Sequence, residues 1–299
     1  MTEWTEKRAP SRDELIANCL EHDALLSAST KIDSVFLNAC KHLKVIALLS
    51  VGYDNVDVAE AIKLGIPIGN TPGVLSAATA DAAFLLMLAT SRKAFYLHKK
   101  IAKGEWGFFE PTANLGIELH GKTLGVFGLG NIGLEMARRC KGAYGMKVIY
   151  HNRSRNEAAE QELGAVWVSF EELLAQSDVL TVHTALTPET KGTFNLTAFE
   201  KMKTNAIFIN TARGGLHVET DLKIALEQGL IWGAGLDVTD PEPMDPKNPL
   251  LDFPNVSVLP HIGSATLETR NAMAQLAAQN IIAGLKGEQL PFPVNPEIY

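Results

Sequence analysis

The sequence predicts an α/β protein of two domains, the larger built on a doubly wound parallel sheet, and three observations predict it. Short β-branched runs alternate with helix-period segments along the chain, the pattern that builds parallel sheets. A glycine-rich turn within Lys122–Gly133, KTLGVFGLGNIG, stands directly between one such run and an amphipathic helix. The chain has 299 residues, more than one hydrophobic core normally serves.

Taken in order, the first half gives strands at Ala24–Leu26, Lys44–Leu49 and Ile66–Gly69, separated by helical patterns near 11–21, 32–40 and 57–64. A long stretch rich in Ala and Leu, about Ala77–Lys103, contains no Pro and no Gly and reads as one continuous bridging helix. The glycine-rich unit follows, with a helix at Ile132–Cys140 and a strand at Met146–Tyr150. Further strands are expected at Ala165–Val168, Val179–His183, Ala206–Asn210, Ile231–Leu236 and Val256–Leu259, and six strands suffice for a complete doubly wound nucleotide domain. A final helix, Leu267–Leu285, carries the chain back to the first domain, which the Val-Asn-Pro near Val294 closes. The expected boundaries are 94–273 for the dinucleotide-binding domain, and 1–93 with 274–299 for the smaller one. There is no internal repeat or low-complexity tract.

The glycine-rich turn predicts a dinucleotide cradle. Gly128 permits a tight turn, Gly130 lets the backbone approach a pyrophosphate, and Gly133 lets helix and strand pack closely, with the phosphates at the helix N-terminus. The motif alone is weak, but its strand-before, helix-after setting is the one it demands. The tip of the second strand reads His151, Asn152, Arg153, Ser154, Arg155. An acid here would accept from the ribose 2′-hydroxyl of NAD and repel a 2′-phosphate. None is present. Arg153 and Arg155 can pair with that phosphate, and Asn152 or Ser154 can hydrogen-bond it. NADP(H) is the expected cofactor, with NAD as the alternative.

Composition excludes several function classes. Hydrophobic residues make up 46% and charged ones 20%, as in globular proteins, and the net charge of −7 gives no reason to expect nucleic acid or an anionic membrane as partner. No apolar run approaches the ~18 residues of a spanning helix, and the start has no signal-peptide core, so a cytoplasmic protein is expected. Cys19, Cys40 and Cys140 have no metal or redox spacing and read as buried thiols. No metal is expected.

Ligands of such sheets bind at the carboxyl ends of the strands, and three ionisable residues fall there. Arg213 follows AIFIN, Glu242 follows LDV, and His261 follows VSVL. Arg213 can fork onto a carboxylate and polarise an adjacent carbonyl. His261 can protonate a carbonyl oxygen while hydride arrives from a nicotinamide, with Glu242 orienting its imidazole and favouring its charged form. Singly, each is as well explained as a surface or structural residue. His22, His42, His98, His120, His151 and His217 have no partner pattern and read as surface or packing residues.

Together with their surroundings, these residues resemble the D-isomer-specific 2-hydroxyacid dehydrogenases, and within them the glyoxylate and hydroxypyruvate reductases. The resemblance runs from about Asp23 to Pro296. It is carried by LLSVGYDNVD (49–57 region), NTPGVLSAATAD (70–81), HGKTLGVFGLGNIG (120–133), HTALTPET, INTARGG, LDVTDPEP and LPHIGSAT. It implies a Rossmann nucleotide domain, a smaller flavodoxin-like substrate domain, and reduction of a small 2-oxo acid. In its terms Arg213 binds substrate and takes part in catalysis, Glu242 partners the histidine, and His261 is the acid/base. Amides near Val51 and Gly52 hold the substrate carboxylate. The nucleotide is held by Gly130, Asn131, Ile132 and Gly133, by Asn152, Arg153 and Ser154, by Thr211 and Ala212, and near the nicotinamide by Asp237 and Gly263. The strand tip resembles the NADPH-preferring reductases.

The same resemblance implies a homodimer, in which the loop bearing Trp106, Phe108, Phe109 and Pro111 reaches the neighbour's site. Packing into the chain's own core would explain that loop equally. Against the family pattern, one βα unit of the smaller domain is expected to be missing before Asp23, which predicts an open sheet edge there. Two other readings remain open. One is a dehydrogenase of the same family with a different 2-oxo acid, and the other is a dinucleotide-sensing binding protein of the corepressor type, which turnover would distinguish.

Overall fold

The computed structural model describes residues 2–299. The chain divides into two compact units, one formed by residues up to Leu75 together with Ala265–Tyr299, the other by Ser76–Ser264.

The smaller unit carries a parallel sheet in the order β1-β2-β3, with β1 at Ala24–Ser27, β2 at Val45–Leu48 and β3 at Ile68–Gly69. Helices α1 (Arg12–Cys19), α2 (Ser34–Ala39) and α3 (Val58–Leu64) alternate with the strands, as the sequence pattern predicts. Each starts on a side-chain cap, with Ser11, Asp33 and Asp57 accepting from the amides of Glu14, Phe36 and Glu60. Phe36, Leu37, Ile46, Leu48 and Ile68 form its core. The last helix, Leu267–Lys286, packs on β2 so closely that a Cβ at Gly284 would lie 2.4 Å from Val45. The segment beyond it completes the unit. Pro293 bridges Gly69, and the buried Asn295 accepts from the Ile68 amide and donates to the Ile66 carbonyl. Among the described residues β1 pairs with β2 alone, so the expected open edge is present.

The larger unit begins with α4 (Ser76–Ser91) and α5 (Ala94–Ala102). The single bridging helix expected over 77–103 is therefore two helices, broken at Arg92–Lys93, where Lys93 is left-handed with φ 55°. The break has a tertiary cause. The Ser91 carbonyl accepts from the Ile117 amide, and Gly116 presses on that carbonyl so tightly that a Cβ would sit 2.1 Å from it. That oxygen is unavailable for the next helical turn.

The same helix moves the expected boundary. Ala80, Ala83, Leu86 and Met87 of α4 are buried among Leu124, Val126, Ile207 and Ile209 of the large sheet, so the unit starts at Ser76 rather than at 94. Likewise the last helix lies wholly with the smaller unit, placing the second boundary at Ser264 rather than 273.

Seven parallel strands follow: β4 (Thr123–Phe127), β5 (Lys147–His151), β6 (Val166–Trp167), β7 (Val179–Val182), β8 (Ile207–Asn210), β9 (Gly233–Leu236) and β10 (Val256–Val258). Their order is β10-β9-β8-β7-β4-β5-β6, a doubly wound sheet that reverses direction beside β4. Helices α6 (Asn131–Tyr144), α7 (Glu157–Leu163), α8 (Phe170–Gln176), α9 (Leu196–Glu200) and α10 (Glu219–Glu227) connect them. Two apolar layers cover the faces, one around Leu180, Phe194, Phe199 and Phe208, the other around Val126, Met136, Tyr150 and Ile209. All three cysteines are buried free thiols. Among the described residues no helix is long and apolar enough to cross a membrane.

Candidate active site

The residues singled out in the larger unit all follow carboxyl ends of its parallel strands and therefore share one edge of the sheet. Gly128 ends β4 with φ 99°, in the left-handed region, and a Cβ there would lie 2.8 Å from the backbone of His183 and Thr184. Gly133 is equally constrained, since its Cβ would meet the Gly128 carbonyl at 2.5 Å. Gly130 differs, because a Cβ there would meet nothing within 4 Å. The space above Gly130 is left by the protein, not filled by it. Gly130 is also the N-cap of α6 and offers no side chain, so the first amides of that helix, including those of Asn131 and Ile132, lack a side-chain cap. An open space at an uncapped helix N-terminus fits a pyrophosphate.

The loop after β5 is stapled to this turn through one residue. The Leu129 amide donates to Asn152 Oδ1 at 2.7 Å, and the Leu129 carbonyl accepts from Asn156 Nδ2 at 2.9 Å. Below it, the Tyr150 hydroxyl donates to Glu160 (2.6 Å) and accepts from the Asn156 amide (2.7 Å). Arg155 pairs with the same Glu160, its Nη2 at 2.6 Å from Oε2, and holds that carboxyl below the usual glutamate range. Of the two arginines offered to a 2′-phosphate, Arg155 is thus committed within the protein. Arg153 and Ser154 are exposed.

Arg213 follows β8, half-buried, with Nη1 donating to the Ala212 carbonyl at 2.7 Å. The next residue, Gly214, lies against the Thr239 carbonyl, where a Cβ would approach to 2.0 Å. Only glycine lets the arginine loop seat against the loop that carries Glu242. Thr211, just before it, buries a hydroxyl that has no partner in the protein, a group available to a bound ligand.

His261 Nδ1 stands 2.5 Å from Glu242 Oε1, and both side chains are partly exposed. This hydrogen bond fixes the ring and leaves Nε2 for other work. The histidine itself is left-handed, with φ 54°, an uncommon state for a residue with a Cβ. Asp237, at the end of β9, holds it there. Its backbone carbonyl accepts from the His261 amide, and its carboxylate accepts from the amides of Ile262 (2.8 Å) and Gly263 (2.7 Å). Burial pushes the Asp237 carboxyl above its ordinary value, against the pull of those two amides. Gly263 packs on that carboxylate, where a Cβ would come within 3.0 Å. The sequence associates Asp237 with the cofactor, whereas in the fold both its oxygens serve the histidine turn.

Two residues carry site geometry that the sequence did not reveal, Asn210 and His217. Asn210 Nδ2 donates to the Arg213 carbonyl (2.8 Å) and lies 3.1 Å from the Nδ1 of buried His217. His183 is partly exposed as a residue, yet its ring nitrogens are enclosed. Its Nε2 meets the Thr181 hydroxyl at 2.8 Å, its Nδ1 has no partner, and burial drives its pKa down to about 3. In the smaller unit, the loop of Val51 and Gly52 is tied internally. Ser50 Oγ donates to the Gly52 carbonyl (2.7 Å), and Asn70 Nδ2 to the Val51 carbonyl (2.9 Å). Trp106, Phe108 and Phe109 are 73%, 77% and 84% exposed, so packing into the chain's own core does not account for them.

An open dinucleotide cradle and a histidine–carboxylate pair on one sheet edge define the larger unit as that of a nicotinamide-dependent oxidoreductase. Residues 84–263 match the model of the "D-isomer specific 2-hydroxyacid dehydrogenase, NAD binding domain". The chain is 46% identical to a glyoxylate reductase of Thermococcus litoralis over 301 residues, covering 99% of this chain and 90% of that protein. A solved Thermus thermophilus protein is similar at 42% identity and a TM-score of 0.89, covering 96% and 90%. An NADPH-dependent glyoxylate/hydroxypyruvate reductase of Sinorhizobium meliloti, solved with NADP and malonate, is similar at 35% identity and a TM-score of 0.86, covering 96% and 88%.

This chain belongs to the D-isomer-specific 2-hydroxyacid dehydrogenase family. It is an NAD(P)-dependent dehydrogenase, and its cofactor is a nicotinamide dinucleotide.

Proposed function

We propose that the protein is an NADPH-preferring reductase of small 2-oxo acids, converting glyoxylate to glycolate and hydroxypyruvate to D-glycerate. The observation that carries the reaction is the His261–Glu242 hydrogen bond of 2.5 Å on the edge that also bears Arg213. When bound, NADPH supplies the hydride that reaches the carbonyl carbon. Arg213 forks onto the substrate carboxylate and polarises the carbonyl beside it. Amides near Val51 and Gly52 are the further carboxylate ligands that the family resemblance implies. His261 donates the Nε2 proton to the carbonyl oxygen, and Glu242, accepting from Nδ1–H, keeps the ring oriented. The balance is one 2-oxo acid, one NADPH and one proton to one 2-hydroxy acid and NADP.

Gly128, Gly130, Asn131, Ile132 and Gly133 would hold the dinucleotide's phosphates, and Thr211, Ala212, Asp237 and Gly263 would serve its nicotinamide end. Support comes from the open space at Gly130 and the unpartnered Thr211 hydroxyl. Preference for NADPH rests on Arg153 and Ser154, since no acid stands at the loop tip and Arg155 is engaged by Glu160. Glyoxylate as substrate is supported by the names of the similar reductases. A homodimer is supported by the exposed aromatic run at Trp106, Phe108 and Phe109.

The test is loss of reduced-nicotinamide absorbance with glyoxylate, hydroxypyruvate and a panel of bulkier 2-oxo acids, with NADPH and NADH side by side. Faster turnover of the two small acids with NADPH is the expected result. A bulky acid preferred over both would overturn the substrate reading, and equal constants for NADPH and NADH would overturn the cofactor reading.

A further inference from the structure

We infer that His217, acting through Asn210, is a positioning residue for the Arg213 loop. The inference rests on the substrate-binding role of Arg213 proposed above.

Asn210 is the last residue of β8 and fully buried. Its Oδ1 accepts from the Ala212 amide at 3.0 Å. A backbone N–H only donates, so this bond settles which way the side-chain amide faces, and Nδ2 is its donor side. The two hydrogens of Nδ2 go to the Arg213 carbonyl and to His217 Nδ1. His217 Nδ1 must therefore accept, which makes the ring neutral with its proton on Nε2. One amide thus ties the strand end, the catalytic loop and the turn after it into a single closed figure.

His217 is itself anchored on several sides, being 3% exposed. Its amide donates to the Gly214 carbonyl (3.1 Å), its backbone bridges Phe194, and its ring meets Phe208 edge-on at 5.8 Å between centroids. An acceptor held this firmly stops the Asn210 amide from rotating. Without it, one Nδ2 hydrogen is buried with no partner, and a rotation that seeks one gives up the bond to the Arg213 carbonyl.

The His217 Nε2–H has no partner in the fold. Replacing the ring by phenyl therefore exchanges one buried unpartnered donor for another, that of Asn210, while keeping the aromatic contact with Phe208. His217→Phe should unfold at close to the parental temperature at pH 7. Its kcat/KM for glyoxylate should fall roughly 5- to 10-fold, the worth of one hydrogen bond, mostly through KM and with NADPH affinity unchanged. His217→Asn puts an amide oxygen near the Nδ1 position but leaves the aromatic slot underfilled. It should be the less stable variant, yet recover kcat/KM to within about threefold of the parent.

Activity and stability thus move in opposite directions across the pair. A purely structural role would make activity follow stability, and that ordering would overturn the inference, as would a His217→Phe enzyme with parental kcat/KM. Arg213→Gln is the control. If it retains parental kcat/KM for glyoxylate, the Arg213 assignment has failed, a result distinct from an intact Arg213 effect with an inert His217.

Discussion

His217 is also where the fold stores acid sensitivity. Burial drives its pKa from 6.5 down to about 4, so the folded protein keeps it neutral while the unfolded chain takes up a proton below about pH 6.5. A depressed histidine pKa means that the unfolded state binds more protons, so this contribution to stability is complete above pH 6.5 and is lost as pH falls towards 4. Between pH 7 and pH 5 the linkage amounts to about 2 kcal/mol for this one ring. His183 is shifted in the same direction, whereas the raised carboxyl of Asp237 acts oppositely.

Comparing parent with His217→Phe at both pH values cancels those common contributions. Thermal unfolding followed by circular dichroism should give similar midpoints at pH 7. At pH 5 the variant should unfold higher by roughly 4–8 °C, the shift expected from 2 kcal/mol in a unit of this size. Midpoints that stay together at pH 5 would show that His217 is protonated in the folded state as well. A protonated Nδ1 cannot accept from Asn210, so that result would refute the tautomer on which the Asn210 argument depends.

His261→Ala should lower kcat by two to four orders of magnitude, the usual range for general acid catalysis, while titration of protein fluorescence finds NADPH affinity unchanged. Gly130→Ala should leave the unfolding temperature within about 1 °C of the parent, because its methyl meets no protein atom, and weaken NADPH binding measured calorimetrically by roughly 10-fold or more. Arg153→Ala should raise the Kd for NADPH by roughly 5- to 50-fold and leave that for NADH within twofold, whereas Arg155→Ala should alter neither by more than about threefold. Asn156→Ala removes the 2.9 Å bond to the Leu129 carbonyl, leaving that oxygen only the longer bond from Asn152 Nδ2 (3.4 Å), and removes the cap of α7. Both dinucleotides should then bind less tightly, since the staple it breaks belongs to the pyrophosphate turn that they share.

Legibility of the fold in the sequence followed how local each signal was. The glycine turn announces itself because strand, glycines and helix are contiguous, and the strands around it fall within a residue or two of expectation. Arg213, Glu242 and His261 could be placed on one sheet edge because each comes within a few residues of a strand-like run. The break at Lys93 could not, since Arg92 and Lys93 are both good helix formers and the cause is Gly116, more than 20 residues away, pressing on the Ser91 carbonyl. Arg153 and Arg155 look alike in sequence and differ in the fold only because α7 presents Glu160 to one of them. His217 reads as a packing residue, and in one sense it is. What the sequence does not display is that Asn210, seven positions earlier, turns its amide towards that ring.

The smaller unit is assembled from two stretches separated by the entire larger one, and β3 rests on Pro293 and Asn295. A ribosome making this chain releases the three-stranded sheet first and the residues that complete it last. At roughly 5–20 residues per second, the first 75 residues wait on the order of 10–40 s for their C-terminal partners, while Ser76–Ser264 emerges as one uninterrupted unit able to fold as it is made. The nucleotide domain is thus the early product of synthesis. The open-edged sheet spends the interval unfinished, which makes it the part of the nascent protein most in need of a chaperone.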